Sequence, residues 1–383
     1  VLGALLINIF RYLSLFLGAI LRKEHDITKI KKSITVIKML GGGSVFIASP
    51  SLIAIRKKYP NIRMIFVGQK TSIHYAELTG IFDEYVEINT NSIIELTISS
   101  ALALKRVFNT DLTIDLEIYS KMTSLFSLFC CAKNRLGFYV EYSSWQRGIL
   151  THALFINDSA PIHIFYQQVA SLLNAPIDKP LDIYKYLVQH NKFNHHKPAS
   201  NVQAISLGCF SSELCPEREF SATQWSKIIA AHEYTGLKKI VILGGKADIE
   251  KAAVLIEELQ NYNQEARVTN LVGQLTLHES IQAILQTDKF ISIDSGLNHV
   301  VRFLNMTVES YWGPTNPKRL LGPGYTFSEK VHYKEIFCSP CAHVIIDAPC
   351  QGNNICMQQH TESIDKYILE KGWNINIKKQ EHN

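Results

Sequence analysis

The sequence predicts an α/β protein with two domains, each built on a doubly wound parallel sheet. A chain of 383 residues with 46% apolar residues can bury two hydrophobic cores, and common domain sizes favour two domains over one or three. Short β-branched runs alternate with helical stretches along both halves of the chain, which is the pattern of a parallel sheet covered by helices. A polar segment between the halves indicates a linker.

These observations divide the chain into five predicted parts. They are a membrane-anchoring helix with a basic flank (1–32), a first α/β domain (33–188), the linker (189–200), a second α/β domain (201–360), and a C-terminal helix and tail (361–383). The net charge is only +5 and the basic residues are scattered. This distribution argues against a nucleic-acid partner, which would require a concentrated cationic surface.

The first 21 residues form an almost wholly apolar helical stretch. Asn8, Arg11 and Ser14 interrupt it at intervals of three, so they share one narrow helical face. A charge in the centre disfavours a membrane-spanning helix and favours an amphipathic helix in the plane of the membrane, although a helix packed on the protein is a third alternative. Basic residues at 22–32 favour peripheral or monotopic attachment to the cytoplasmic face of an inner membrane.

The first domain begins with a strand and a glycine-rich turn. The run 34–37 leads into Gly41, Gly42, Gly43 and Ser44, and glycines let a backbone approach a ligand closely. The spacing matches neither the Gly-x-Gly-x-x-Gly fingerprint nor a P-loop, so neither a dinucleotide nor ATP is predicted as the ligand.

Three more strands are predicted in the first domain, at 64–67, 85–88 and 112–116. The last of them brings Asp115 and Glu117 to the carboxyl end of a strand. Open α/β sheets bind ligands at that edge, so both carboxylates are candidate site residues.

The second domain contains a candidate anion site. An apolar strand at 290–293 ends in Asp294, Ser295 and Gly296, where a helix begins. Free backbone N–H groups and the positive end of the helix dipole suit a phosphate at such a position. The alternative is that Ser295 only caps the helix and Asp294 only closes a turn.

These segments together resemble glycosyltransferase family 9, which includes the ADP-heptose:lipopolysaccharide heptosyltransferases. The resemblance covers residues 34–357, and the order and spacing of its motifs make it specific although each motif is short. The motifs are the glycine-rich start at 36–50 and the segments 111–117, 135–138, 243–245, 271–273, 294–299, 313–317 and 338–341. The resemblance implies a GT-B fold of two facing Rossmann-like domains, with the acceptor on the first and the nucleotide sugar on the second.

The resemblance also implies an inverting, metal-independent sugar transfer that requires no cofactor. The expected donor is a nucleotide-diphosphate sugar such as ADP-heptose, and the expected acceptor is the lipopolysaccharide core or another lipid-linked saccharide. Inverting transfer needs a base for the acceptor hydroxyl, and hydrogen-bond donors or positive charge for the departing diphosphate.

Donor binding is assigned by the resemblance to the second domain. Arg218 stands in for a phosphate-contacting lysine of the family and can bind a phosphate through two hydrogen bonds, although an exposed loop arginine is equally open. Asp248 matches a ribose-contacting acid, with Glu250 as the fallback. The other matching positions are Asp294, Ser295, Gly296, His299, Thr315 and Asn316, of which the last two also fit a simple turn.

One departure from the family pattern concerns the catalytic base. The family usually carries an aspartate directly after the last glycine of the first turn, where this chain has Ser44. A serine alone is no general base at neutral pH, so Glu117 is the first candidate for that role and Asp115 the second, with a buried structural role as the alternative for Asp115. The alternative function is a non-catalytic nucleotide-sugar-binding homologue or partner subunit.

The eight cysteines indicate reduced thiols rather than a disulfide framework. Cys338, Cys341, Cys350 and Cys356 fall within nineteen residues, a grouping that suits a structural zinc site. The family resemblance leads us to expect the same cluster with or without zinc, and no metal is assigned to the catalytic site.

Overall fold

A computed structural model describes most of the chain and divides it into two compact units. The N-terminal unit comprises residues 1–193 with 302–304 and 318–325, and the C-terminal unit comprises the remainder. The described residues are 2–21, 24–140, 146, 148–157, 159–194, 202–212, 215–233, 237–262, 266–342, 348, 350 and 353–370. Arg22 and Lys23 of the predicted basic flank, residues 195–200 of the predicted linker and residues 371–383 of the predicted tail lie outside them.

The N-terminal unit contains a six-stranded sheet in which all strands are parallel, with the order β3-β2-β1-β4-β5-β6. The strands are β1 (Ser33–Ile37), β2 (Arg63–Gly68), β3 (Glu84–Glu87), β4 (Leu112–Asp115), β5 (Asn134–Tyr139) and β6 (His152–Phe155). The helices are α1 (Leu2–Leu21), α2 (Gly42–Lys58), α3 (Lys70–Glu77), α4 (Ile93–Val107), α5 (Lys121–Phe129), α6 (Ile162–Leu172) and α7 (Pro180–Asn191). The strand order reverses direction between β1 and β4.

Helices cover both faces of this sheet, which explains why its central strands read as continuous apolar runs. On one face, α2 packs against α3 and α6. On the other face, Ile37, Ile65 and Val67 form a core with Val107 of α4 and Phe126 of α5.

Helix α1 packs on α5. Ile7 is 1% exposed and forms a small core with Leu125 and Ile149, against which Phe10 also packs. Within the part of the chain that the structure describes, no helix combines the length and the apolar character required to cross a bilayer.

The C-terminal unit repeats the architecture with the strand order β12-β11-β10-β7-β8-β9, again all parallel. The strands are β7 (Ala204–Gly208), β8 (Lys239–Leu243), β9 (Arg267–Asn270), β10 (Lys289–Ile293), β11 (Thr307–Trp312) and β12 (Ser328–Tyr333). The helices are α8 (Ala222–Glu233), α9 (Ile249–Tyr262), α10 (Leu277–Ile284), α11 (Gly296–Val301) and α13 (Ile355–Glu370), while α12 (Pro317–Leu320) lies in the N-terminal unit except for its first residue. The order reverses between β7 and β10, and the two parallel sheets confirm the predicted α/β fold class.

An aromatic core joins α13 to this second sheet. Phe220 packs edge-on against Trp225 at 5.3 Å and against Tyr311 at 5.4 Å between ring centroids. His360 of α13 is buried beside them, and its Nε2 lies 2.8 Å from the Trp312 carbonyl oxygen. Because a carbonyl only accepts hydrogen bonds, Nε2 carries the ring proton.

Burial lowers the pKa of His360 from 6.5 to about 4, which predicts a loss of stability in acid. The unfolded state takes up a proton below pH 6.5 that the folded state resists, so the free energy of unfolding falls as the pH drops from 6.5 towards 4. At pH 5 we expect the loss to be about 2 kcal/mol relative to pH 7.5. Urea unfolding of the wild type and of His360→Gln at both pH values measures it. An equal loss in the two proteins would show that His360 is not the group responsible.

Candidate active site

The glycine-rich turn of the N-terminal unit lies where the strand order reverses, between the carboxyl ends of β1 and β4. Gly41 has φ of 78°, in the left-handed region that favours glycine. Gly42 approaches the ring of Tyr75 so closely that an added Cβ would come within 2.0 Å of it. The backbone conformation therefore favours glycine at position 41, and packing against Tyr75 favours it at position 42, independently of any ligand.

Glu117 braces this turn. Its Oε1 accepts hydrogen bonds from the backbone N–H groups of Met39 and Leu40, both at 2.9 Å, and lies 2.9 Å from Nζ of Lys38. The Lys38 side chain is almost fully buried, while that of Glu117 is 14% exposed. Among the described residues, none hydrogen-bonds to Oε2. One oxygen thus fixes the loop and the other remains available.

Asp115 lies beneath Glu117 and differs from it in solvation. Its side chain is buried, and Oδ1 accepts a hydrogen bond from the Glu117 backbone N–H at 3.0 Å. Burial raises the pKa of Asp115 to about 8, and the nearby Glu117 charge also raises it. Asp115 is therefore mostly protonated at neutral pH.

The Ser44 side chain already forms hydrogen bonds within the glycine-rich turn and with a neighbouring helix. Its Oγ donates a hydrogen bond to the Gly41 carbonyl oxygen at 2.5 Å, and the buried Tyr166 hydroxyl is a hydrogen-bond partner of the same side chain. The structure thus brings Ser44, Asp115 and Glu117 together at one sheet edge, while their catalytic roles remain predictions. Sequence reasoning missed Tyr166 and Lys38. Only Lys38 gave a local signal, as a lone cation at the end of an apolar strand.

Arg218 occupies the matching reversal in the C-terminal unit, between β7 and β10. It ends a short 3-10 helix, Pro216–Arg218. Its Nη1 donates to the Asp294 carbonyl oxygen at 3.1 Å and lies 3.4 Å from Asp294 Oδ2, while Nε donates to the Cys215 carbonyl oxygen at 3.2 Å. The side chain is only 15% exposed, so Arg218 is a positioned residue and not an exposed loop arginine. Its contact with a phosphate remains a prediction.

Asp294 is the buried centre of this second group. Its Oδ1 lies 3.3 Å from His299 Nε2. Burial alone would raise the pKa of Asp294, but the hydrogen bond from His299, the charge of Arg218 and the nearby Thr315 hydroxyl outweigh it, and the pKa falls below its usual value. Arg218, Asp294, His299 and Thr315 are thus brought together, as the sequence indicated.

Ser295 caps helix α11, since its Oγ accepts a hydrogen bond from the Asn298 backbone N–H at 3.4 Å. The capping alternative is therefore present in the structure, and phosphate binding at Ser295 and Gly296 remains a prediction. Asn298 is fully buried, and neither polar atom of its side chain has a hydrogen-bond partner among the described residues. Buried amides are normally paired, so the lack of a partner at Asn298, which the sequence analysis named only as part of the 294–299 motif, is a feature revealed by the structure.

Asp248 lies at the carboxyl end of β8, after the turn at Gly244 and Gly245. Its Oδ2 accepts a hydrogen bond from the Gly245 backbone N–H at 2.8 Å. Burial raises the pKa of Asp248, and the Gly245 hydrogen bond opposes that rise. Glu219, the neighbour of Arg218 in sequence, interacts electrostatically with Asp248, which places Asp248 near the Arg218 group. Asn316 follows Thr315 in the loop after β11.

The four clustered cysteines, Cys338, Cys341, Cys350 and Cys356, are free thiols. Burial raises the pKa of Cys341 and Cys356, and the other cysteines of the cluster add to both shifts. Of the side chains that the structure describes, no group of three or more His, Cys, Asp or Glu is arranged to hold a metal ion. Zinc binding by these cysteines remains untested.

Comparison with known proteins identifies the relatives of this chain. The family model of glycosyltransferase family 9 (heptosyltransferase) matches residues 104–346. Lipooligosaccharide heptosyltransferase 2 of Campylobacter jejuni is 23% identical over 304 residues, covering 78% of this chain and 87% of the relative.

Solved structures show the same fold. A glycosyltransferase family 9 protein from Veillonella parvula superposes with a TM-score of 0.63 at 17% identity, covering 91% of this chain and all of that one. The Escherichia coli heptosyltransferase WaaC, solved with ADP, superposes with a TM-score of 0.63 at 16% identity, covering 88% of this chain and 99% of that one. At these identities the likeness speaks for the fold alone, and it confirms the predicted GT-B fold.

The contact between Gly42 and Tyr75 generates a stability prediction. We expect Gly42→Ala to lower the free energy of unfolding by about 2 kcal/mol, because the new methyl group overlaps the partly buried ring of Tyr75. Gly245→Ala is the matched control, since its Cβ would meet only Asp248 Oδ2 at 3.6 Å. Denaturant unfolding of both variants measures the difference, and equal stabilities would contradict the close approach.

Proposed function

Because the chain belongs to glycosyltransferase family 9, we propose that it transfers heptose from ADP-heptose to the lipopolysaccharide core or to another lipid-linked saccharide. The observation that carries the proposal is the Arg218–Asp294–His299 group at the strand-order reversal of the C-terminal unit. Ligands of open α/β sheets bind at such reversals. The choice of heptose and ADP rests on the names of the relatives, which are heptosyltransferases, and on the fact that one of them was solved with ADP.

In this proposal the donor diphosphate binds beside Arg218. The guanidinium is already held by the carbonyl oxygens of Cys215 and Asp294, so little reorganisation is needed when an anion arrives. Backbone N–H groups at Ser295 and Gly296 add donors. Asp294 carries the opposite charge and acts as a positioning residue for Arg218 and His299. Arg218 and these N–H groups supply the charge compensation that supports a metal-independent departure of the diphosphate.

The ribose is proposed to bind at Asp248. Oδ2 is committed to the Gly245 N–H, while no described residue hydrogen-bonds to Oδ1, which leaves an acceptor for a ribose hydroxyl. The loop after β11, with Thr315 and Asn316, completes the donor site.

The proposed base is Glu117 in the N-terminal unit. Oε2 of Glu117 accepts the proton of the acceptor hydroxyl. At the same time, the hydroxyl oxygen of the acceptor forms a bond to the anomeric carbon of the donor sugar. The bond from the anomeric carbon to the diphosphate breaks on the opposite side, so the configuration inverts. Asp115 suits this role less well, because its carboxyl is buried and holds a proton at neutral pH.

One observation favours the non-catalytic alternative. Ser44 hydrogen-bonds to Gly41 within its own turn and provides no carboxylate where family members usually carry the base. A homologue that binds the donor without transferring its sugar would show this arrangement.

The acceptor chemistry supports a location at the membrane. A lipid-linked acceptor lies in a bilayer, and α1 turns apolar side chains to solvent, among them Leu5, Ile9, Tyr12 and Phe16. Together with the basic residues of the 22–32 segment, this supports attachment to the cytoplasmic face of the inner membrane.

Nucleotide binding tests the donor site. We expect ADP to raise the thermal midpoint of the wild type more than UDP or GDP does. Arg218→Ala should weaken ADP binding by about tenfold or more, because a charge-assisted contact is lost. The control is Arg267→Ala, which removes an exposed arginine at the start of β9. Titration calorimetry measures the affinities, and unchanged ADP binding by Arg218→Ala would remove Arg218 from the site.

Transfer assays test the base. Glu117→Gln should lower kcat by about 10²–10⁴-fold and leave ADP affinity unchanged, because the donor site is built by the other unit. Asp115→Asn is the comparison, with a smaller effect expected. Ser44→Asp should restore part of the activity of Glu117→Gln by supplying a carboxylate in the same turn.

Two results would redirect the proposal. Wild-type rates in Glu117→Gln with unchanged donor affinity would show that Glu117 is not the base. Tight ADP binding by the wild type without transfer to any membrane-extract acceptor would favour the non-catalytic alternative.

A further inference from the structure

Helix α4 exposes an aliphatic stripe to solvent. Ile94, Ile98 and Leu102 recur every four residues and are 67%, 56% and 63% exposed. The opposite face of the helix buries Ala103 and Val107 in the core. Three large aliphatic side chains on successive turns are more than scattered surface residues, and contiguous exposed apolar surface marks an interaction site.

Helix α1 has a comparable outer face. Leu5, Ile9, Tyr12 and Phe16 share one side of the helix and are each more than half exposed, while Ile7 points inward. The polar residues of α1 do not occupy the centre of this outer face. A helix that packs on a soluble domain normally has its polar residues on the face exposed to water.

Helix α5 connects these two faces. Phe129 of α5 packs edge-on against Phe10 of α1, with 4.8 Å between ring centroids. On its other side, Phe126 of α5 shares a core with Val107 of α4. Helix α5 therefore contacts both α1 and α4, and Met122 of α5 is a further exposed side chain.

The net charge of these three helices is positive. The three helices contain four cations, Arg11, Lys105, Arg106 and Lys121, and a single carboxylate, Glu95. Nε of Arg11 is buried, so the exposed cations are the other three. Arg106 pairs with Glu84 at 3.4 Å, whereas Lys105 and Lys121 form no ion pair with a described residue. Lys105 follows Ile98 and Leu102 on the exposed stripe. An apolar face with a cationic fringe complements an anionic lipid surface.

From this arrangement we infer that α1, α4 and α5 form a membrane-docking face, in which the α4 stripe enters the lipid interface together with α1. The inference rests on the proposed function for the presence of a lipid-linked acceptor. A symmetric contact with a second copy of this chain fits less well, because it would set the same cationic surface against itself. Two separate apolar stripes also fix how the unit lies on the bilayer, which α1 alone would not.

Vesicle binding by the full chain tests the inference. We expect the wild type to sediment with vesicles of phosphatidylethanolamine and phosphatidylglycerol, and more weakly with phosphatidylcholine alone. Ile98→Glu/Leu102→Glu should lower the partition coefficient by about tenfold, because two inserted aliphatic side chains become charges. The matched control is Ile249→Glu/Val254→Glu, which places the same charges at exposed apolar positions of α9. Both side chains of each pair are already exposed, and circular dichroism checks the fold.

Lys105→Glu provides a second variant that leaves the aliphatic stripe intact. It should weaken binding to the anionic vesicles by about fivefold or more and leave binding to phosphatidylcholine unchanged. ADP binding measured on the α4 variants keeps the two proposals apart, since the docking face predicts that Ile98→Glu/Leu102→Glu and Lys105→Glu bind ADP like the wild type.

Two outcomes would overturn the inference. In one, Ile98→Glu/Leu102→Glu and Lys105→Glu partition to vesicles like the wild type, so α4 does not touch lipid. In the other, the wild type does not bind vesicles but forms a dimer that Ile98→Glu/Leu102→Glu converts to a monomer, so the face joins two copies. Vesicle binding by a wild type that transfers no sugar would leave the docking face standing and remove only the catalytic proposal.

Discussion

The structure depends on one electrostatic constraint, the stabilisation of a partly buried ion pair at the point where each parallel sheet reverses its strand order. Lys38 and Glu117 meet this constraint in the N-terminal unit, and Arg218 and Asp294 meet it in the C-terminal unit. Removing such charges from water is unfavourable unless further hydrogen bonds compensate. The chain supplies them from the backbone at Met39 and Leu40, and from His299. Each pair thereby fixes the loops around it before any ligand is present.

The two pairs differ in what they leave unoccupied, and that difference separates their chemistry. In the N-terminal pair, all the described contacts converge on one oxygen of Glu117, so the second oxygen can accept a proton. In the C-terminal pair, the Asp294 carboxylate is enclosed between Arg218 and His299. The Arg218 side chain is 15% exposed, and its Nη2 donates to Ser212 Oγ at 3.2 Å. The same arrangement therefore leaves a carboxylate oxygen without a described partner in one unit and a partly exposed guanidinium in the other.

Local sequence patterns were sufficient to predict two parallel sheets and a candidate anion site at 294–296, while the other candidate donor residues were assigned by the family resemblance. β-Branched runs mark strands buried on both faces, and Asp294 and His299 are five residues apart on a strand–helix turn, so their proximity follows from the chain itself. Tyr166 beside Ser44 could not be predicted, because the contact joins two distant helices and neither carries a periodic signal for it. The high pKa of Asp115 likewise depends on burial, which the sequence does not express.

Helices α1 and α4 show a second limit of prediction from sequence, which concerns the face of each helix that is buried. Periodicity tells which side chains of α1 and α4 share a face, but both helices are apolar on more than one side, so it does not tell which face turns inward. Packing on α5 decides that question.

The position of Ile7 has a practical consequence for handling the protein. Helix α1 is part of the N-terminal core. Deleting this apolar helix to improve solubility would expose Leu125 and Ile149, which it covers in the intact protein. The shortened protein would lose the apolar surface of α1 but expose the apolar surface beneath it. It would also lose the packing of α1 on α5. Keeping the helix and masking its outer side with a mild detergent is the sounder route to a well-behaved preparation.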